Sequence, residues 1–257
     1  MSSSPGSVGS GPADADRGPG GHVFFPGDHL LEGVLEWPEI AGSDLGEELD
    51  PPRGGVVVAH PHPLQGGTMA QPVVYRVAKA SRELGLAALR FNFRGVGGSR
   101  GSYSGTEEHR DVEAAAAFLR GRLAAAAGDA VPGPETPPLA LVGYSFGSVM
   151  SARAAAGQVP VKAMVLIGFP PVLAEQIPDT YTRLGQFRGP VLAVSASEDD
   201  LGYPENVDRV LRKLGLDFTM VVIEGAGHLL EGKHREVGQT VARFLAEKLA
   251  LDRYSRA

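Results

Sequence analysis

Gly143-Tyr144-Ser145-Phe146-Gly147 stands between two stretches of opposite character. Before it, Pro138-Leu139-Ala140-Leu141-Val142 is short and apolar and follows a proline-rich loop, which predicts a buried strand. After it, Ser148 to Gly157 is alanine-rich and free of proline, which predicts a helix. A serine on so sharp a strand-to-helix turn needs small neighbours, because the strained backbone leaves no room for side chains two positions away on either side. Glycines 143 and 147 meet that need.

The pattern G-x-S-x-G is weak without its context. Gly97-Gly98-Ser99-Arg100-Gly101 matches it equally well, yet no helix opens directly from that copy. It reads as a flexible Gly/Ser connection. Context selects Ser145 as a candidate nucleophile.

Working outward, residues 1–21 are Ser, Gly, Pro and Asp with little to bury, and are expected to form a disordered tail ahead of one domain over 22–257. Val23-Phe24-Phe25 and Leu30 to Trp37, separated by Pro26-Gly27-Asp28, predict an opening β-hairpin. Ile40 to Gly54 predicts an acidic surface loop. Strands are then expected at Val56–Ala59, Ala87–Phe93, Leu139–Val142, Val161–Ile167, Val191–Ser195 and Phe218–Ile223. Helices are expected at Gln71–Leu84, Thr106–Ala127, Ser148–Gly157, Glu205–Leu214 and Lys233–Leu251. Thr106-Glu107-Glu108-His109 resembles an incomplete capping box. Continuous apolar strands alternating with helices give an α/β class: a mostly parallel sheet covered on both faces.

At 257 residues the chain can bury a sizeable core. A net charge of −6 argues against a nucleic-acid or anionic-membrane partner. Zero cysteines exclude disulfides, thiolate metal sites and a cysteine nucleophile. No apolar run approaches the roughly 18 residues of a membrane span, and no secretion signal is visible at the N-terminus. Cytoplasm is the expected compartment. Association with further copies of the chain stays open.

A serine hydroxyl is a poor nucleophile near neutral pH and needs a base, normally histidine, oriented by a carboxylate. Of the histidines only His228 and His234 follow Ser145. His228 ends Gly225-Ala226-Gly227-His228, directly after an expected strand, where the glycines let an imidazole swing over the sheet edge. His234 sits between Lys233 and Arg235 at a helix start and reads as solvated. The acid is expected after the Val191–Ser195 strand, in Glu198-Asp199-Asp200, with Asp199 preferred over its two neighbours. An oxyanion needs N–H donors. Phe146, next after the serine, supplies one. The loop His60-Pro61-His62-Pro63-Leu64-Gln65-Gly66-Gly67-Thr68-Met69 supplies the other, from His62 or Leu64, since the prolines have no N–H. His60 and His62, split by a proline and lacking a third ligand, do not make a metal site. No cofactor is expected.

These residues resemble the α/β-hydrolase superfamily from about Val23 to Leu249. Within it, His60 to Thr68, Leu89 to Ser99 and Gly143 to Gly147 look like the small bacterial serine esterases without a cap domain, the dienelactone-hydrolase-like group among them. The resemblance implies Ser145 as nucleophile, Asp199 as acid, His228 as base and Phe146 as an oxyanion donor. It also places Arg94, in Asn92-Phe93-Arg94-Gly95, as a buttress between loops. Where the sequence departs from the pattern it bears on activity. Dienelactone hydrolases proper use cysteine, and dehalogenases and epoxide hydrolases of this fold use aspartate, so neither chemistry is implied.

Residues 168–189, with Pro170, Pro171 and Pro178, are too short for a helical lid. The site is therefore expected to be open and to suit short or exposed acyl groups. Met69, Phe169, Tyr203 and Leu229, with Leu64, flank the expected loops as pocket-wall candidates. The expected activity is hydrolysis of a small-molecule carboxylic ester through an acyl-enzyme, declining as pH drops through about 6 to 7 because the base must be neutral. Acyl transfer or peracid formation on the same three residues, or a non-catalytic binding role on this fold, are the rival expectations.

Overall fold

The structure is a computed structural model and describes residues 21–38, 52–127 and 137–249. Its strands are β1 (Gly21–Pro26), β2 (Leu30–Glu36), β3 (Gly54–Ala59), β4 (Leu86–Phe91), β5 (Leu139–Tyr144), β6 (Ala163–Ile167), β7 (Val191–Ala196) and β8 (Phe218–Ile223). Its helices are α1 (Pro72–Arg82), α2 (His109–Ala127), α3 (Phe146–Ala154), α4 (Pro171–Gln176), α5 (Thr180–Leu184), α6 (Pro204–Lys213) and α7 (His234–Lys248). The strands form one sheet in the order β1-β2-β4-β3-β5-β6-β7-β8. Pairing is antiparallel between β1 and β2 and between β2 and β4, and parallel from β4 to β8.

Every residue of β3, β5, β6 and β7 is buried, which is why these strands read as unbroken apolar runs. Alternation splits them between two cores. Val57, Ala59, Leu139 and Leu141 join the core on the side of α2 and α3, with Leu119 and Val149, a core that continues under β7 to Leu211 of α6. Val56, Val58, Ala140 and Val142 face α1 and α7, through Val77, Val237, Val241 and Leu245. Each such Val or Leu side chain contributes on the order of 1.5–3 kcal/mol on leaving water, and each Ala under about 1 kcal/mol. Helix α7 presses close on α1: a β-carbon on Gly238 would lie 2.7 Å from the Arg76 carbonyl oxygen.

The structure corrects the expected pattern in a few places. Gly21, expected in the tail, opens β1, while residues 1–20 lie outside the described residues. Most of the expected loop from Ile40 to Gly54 and the last two residues expected for α7 also lie outside them. Helix α2 begins at His109, not Thr106. The capping pair is Ser104 with Glu108: Ser104 Oγ accepts the N–H of Glu107 at 2.8 Å, and the Glu108 carboxylate accepts the N–H of Ser104 at 2.6 Å. The second G-x-S-x-G copy is not a flexible connection. Ser99 is buried there, accepting the Glu32 N–H at 2.9 Å and donating to the Asn92 carbonyl at 2.6 Å. The Glu32 carboxylate accepts the Gly98 N–H at 2.6 Å, so the loop is pinned to β2. Residues 168–189 fold into α4 and α5, which bury Ala174, Ile177 and Leu184 in the core beside α3, so this segment is scaffold, not a lid.

Candidate active site

Strand β5 runs straight into α3 through Ser145, whose backbone (φ 53°, ψ −118°) lies in a region that side-chain-bearing residues rarely occupy. What holds it there is close packing of glycines. A β-carbon on Gly143 would come 2.2 Å from the Gly147 carbonyl oxygen. The strain presents the Ser145 hydroxyl at the carboxyl edge of the sheet.

At that edge the three expected side chains meet. Ser145 Oγ lies 2.8 Å from His228 Nε2, and His228 Nδ1 lies 2.8 Å from Asp199 Oδ1. Asp199 is buried, whereas its neighbours Glu198 and Asp200 are exposed. Burial alone would raise the Asp199 pKa. Its hydrogen bond and attraction to His228, with N–H donors from Gly202 (2.8 Å) and Leu201 (3.0 Å), outweigh that and hold it below the usual carboxylate value. An ionised Asp199 fixes the proton of His228 on Nδ1 and leaves Nε2 as the acceptor facing the serine. His234 lies apart, its Nε2 on the Leu229 carbonyl at 3.2 Å.

Glycines again make room. A β-carbon on Gly168 would touch His228 Cε1 at 3.2 Å, and one on Gly202 would touch Asp199 Oδ2 at 3.1 Å. Tyr144, the residue before the serine, donates its hydroxyl to the His228 carbonyl at 2.8 Å and so ties the elbow to the histidine loop. Sequence reasoning missed Tyr144. The only signal was its place inside the motif, next to the serine.

Across the site, the loop after β3 turns back on itself. His60 is fully buried: its Nε2 accepts the Phe93 N–H at 3.1 Å and its Nδ1 donates to the Pro61 carbonyl at 2.6 Å. His62 Nδ1 accepts the Leu64 N–H at 3.2 Å, and its Nε2 lies 2.9 Å from the Tyr103 hydroxyl. All four imidazole nitrogens of this pair are thus engaged by the protein. The Leu64 N–H is already used, which removes Leu64 as an oxyanion donor. The N–H groups of His62 and Phe146 donate to no acceptor among the described residues. Arg94 is buried on Asp111, with Nη2 to Oδ1 at 2.6 Å, and touches no residue of the Ser–His–Asp group.

A family described as alpha/beta hydrolase domain matches residues 53–252. The chain belongs to the alpha/beta hydrolases. Among solved structures, this hydrolase is similar to an α/β serine hydrolase without lid from Xanthomonas campestris, at 26% identity and a TM-score of 0.71 over 89% of this chain and 94% of that one. It is also similar to an α/β serine hydrolase homologue from Coxiella burnetii, at 30% identity and a TM-score of 0.70 over 88% and 97% of the two chains. An uncharacterized protein of Rickettsia prowazekii is 27% identical over 195 residues, which is 74% of this chain and 77% of that one. No helix among the described residues of the hydrolase is long and apolar enough to cross a membrane.

The expected pocket walls divide. Phe169 is fully buried in the core beside α3, so its side chain is packing, not pocket wall. Met69 is half-buried and tied by its backbone to Asn92 (2.9 Å) and Arg90 (3.0 Å) at the end of β4. Tyr203 and Leu229 are exposed, as is Leu64, on loops that leave the same edge of the sheet as Ser145.

Proposed function

We propose that this hydrolase cleaves carboxylic esters through an acyl-enzyme on Ser145. The observation that carries the reading is the unbroken hydrogen-bond chain Ser145–His228–Asp199, with both links at 2.8 Å. Ser145 Oγ attacks the ester carbonyl while His228 Nε2 takes its proton, and Asp199 stabilises the imidazolium so formed. The free N–H groups of Phe146 and His62 receive the oxyanion. His228 then gives its proton to the leaving alkoxide. Water attacks the acyl-enzyme by the same route and releases the acid.

The open edge, with no lid over it among the described residues, favours short or exposed acyl groups. A fluorophosphonate probe combined with p-nitrophenyl esters of increasing acyl length tests the reading. Labelling at Ser145 with turnover of the short esters is the expected result. A folded protein inert to both refutes it in favour of a binding role.

A further inference from the structure

The hydrogen bonds around His62 leave one donor without a use. Because the Leu64 N–H points at His62 Nδ1, that nitrogen carries a lone pair, and a neutral ring has its hydrogen on Nε2. Nε2 therefore donates to the Tyr103 oxygen 2.9 Å away. The opposite arrangement, with Tyr103 donating to Nε2, would set Nδ1–H against the Leu64 N–H. A doubly protonated ring would do the same, and burial pushes the His62 pKa down, against the pull of Glu108. The hydrogen of the Tyr103 hydroxyl is thus unused: among the described residues that oxygen makes no hydrogen bond besides the one with His62.

That hydroxyl belongs to a ring cluster formed with the side chains of the two residues whose backbone N–H groups are unused. The His62 ring centroid is 5.1 Å from that of Tyr103 and 5.1 Å from that of Phe146, and those two rings are 5.8 Å apart. The residues assigned as oxyanion donors are therefore the ones Tyr103 packs against, and its oxygen lies one imidazole ring beyond the His62 backbone. Tyr103 is half-buried, so it is reachable. Gly105 (φ 87°) keeps it uncovered: a β-carbon there would sit 3.3 Å from the hydroxyl oxygen.

We infer that the Tyr103 hydroxyl is a substrate-binding donor, selecting esters that carry an uncharged oxygen acceptor (ether, ketone or hydroxyl) away from the reacting carbonyl. The charge of that acceptor follows from Glu108. Its buried carboxylate accepts from Ser104 N, Ser104 Oγ and Gly105 N, and its field reaches both Tyr103 and His62. An anionic acceptor beside it would be repelled. The hydrogen bond received from His62 polarises the phenol and strengthens its own donation.

The inference rests on the ester-hydrolase reading, and its test separates the two. The full-length protein and its Tyr103→Phe variant, which keeps the ring packing, are assayed on p-nitrophenyl hexanoate and on analogues with one chain methylene replaced by an ether oxygen. Dividing kcat/KM for ether by that for hexanoate, and comparing the quotient between the two proteins, cancels intrinsic ester reactivity and any general disturbance of His62. For at least one ether position the quotient is expected to fall about tenfold in the variant. Quotients that stay within twofold at every ether position overturn the inference, while hexanoate turnover by wild type leaves the esterase reading standing. No turnover of any ester, with Ser145 resistant to fluorophosphonate, overturns both.

Discussion

A β-carbon added to Gly147 would lie 2.5 Å from the carbonyl oxygen of Ala59, so the first turn of α3 rests directly on the end of β3. The same β-carbon would meet the His60 carbonyl oxygen at 2.5 Å. Both obstacles are backbone, and neither can swing aside. This contact sets the Phe146 N–H next to the loop that carries the His62 N–H. Gly147→Ala is therefore expected to cost about 1–3 kcal/mol, or to prevent folding. Urea unfolding of the variant measures it. Unchanged stability would mean that the two elements are not held this closely.

Ser145→Ala removes the proposed nucleophile and leaves the packing intact, so kcat is expected to fall by at least about 1,000-fold with a melting temperature within a few degrees of wild type. Asp199→Asn is more informative. Oδ1 accepts from His228, Leu201 and Gly202, while Oδ2 is buried without a partner. An asparagine can keep its oxygen toward the three donors, so the fold is retained while the charge that stabilises an imidazolium is lost. Its kcat is expected to fall roughly 10³–10⁴-fold. Stopped assays on p-nitrophenyl butanoate, with a retained melting temperature, check both variants. Near-wild-type turnover by Asp199→Asn would give the role of acid to another residue.

Much of this is legible in the chain because the signals are local. The fully buried strands appear as apolar runs; Ser145 and Asp199 follow two of them, and His228 follows the edge strand β8, in an order only two histidines can satisfy. What the sequence does not disclose depends on contacts far along the chain. Ser99 reads as loop because its partners, Glu32 and Asn92, are set by pairing of β2 with β4. Phe169 reads as a pocket wall because its neighbourhood is right, yet the turn at Gly168 (φ 53°) carries it into the core. The start of α2 shifts because Glu108 reaches back to Ser104 instead of facing solvent. Leu64 and His62 are equal oxyanion candidates until the His62 ring is seen to take the Leu64 N–H.

Arg94 and Asp111 form a pair that neither can leave. The guanidinium Nε and Nη2 bond Oδ1 at 3.0 and 2.6 Å, the Arg94 N–H bonds Oδ2 at 2.9 Å, and both side chains are buried. They join the turn after β4 to the first turn of α2. Asp111→Ala would leave the guanidinium only the exposed Asp28 carboxylate, 3.6 Å from Nη2, and is expected to cost about 3 kcal/mol. Thermal or urea unfolding of the variant checks this. A loss below about 1 kcal/mol would show that water reaches the arginine.

His60 gives the protein a pH dependence of its own. Its ring must be neutral in the native state, since Nε2 accepts the Phe93 N–H while Nδ1 donates to the Pro61 carbonyl. Burial pushes its pKa down to about 4, although the Pro61 carbonyl pulls the other way. Above the unfolded value near 6.5 neither state holds the proton, and the contribution to stability is complete. As pH falls toward 4 the unfolded chain binds a proton that the native state refuses, and up to about 3 kcal/mol is lost. Below about 4 both states are protonated and this loss stops growing. His62 and His109, also lowered by burial, act in the same direction, so wild type alone cannot assign the effect. His60→Gln offers Phe93 an acceptor but does not titrate. The variant is expected to be the less stable protein at pH 7.5, with the gap narrowing by about 2 kcal/mol at pH 4.5. Urea midpoints at the two pH values decide it: a gap that stays constant means His60 takes up a proton in the native state as readily as in the unfolded chain.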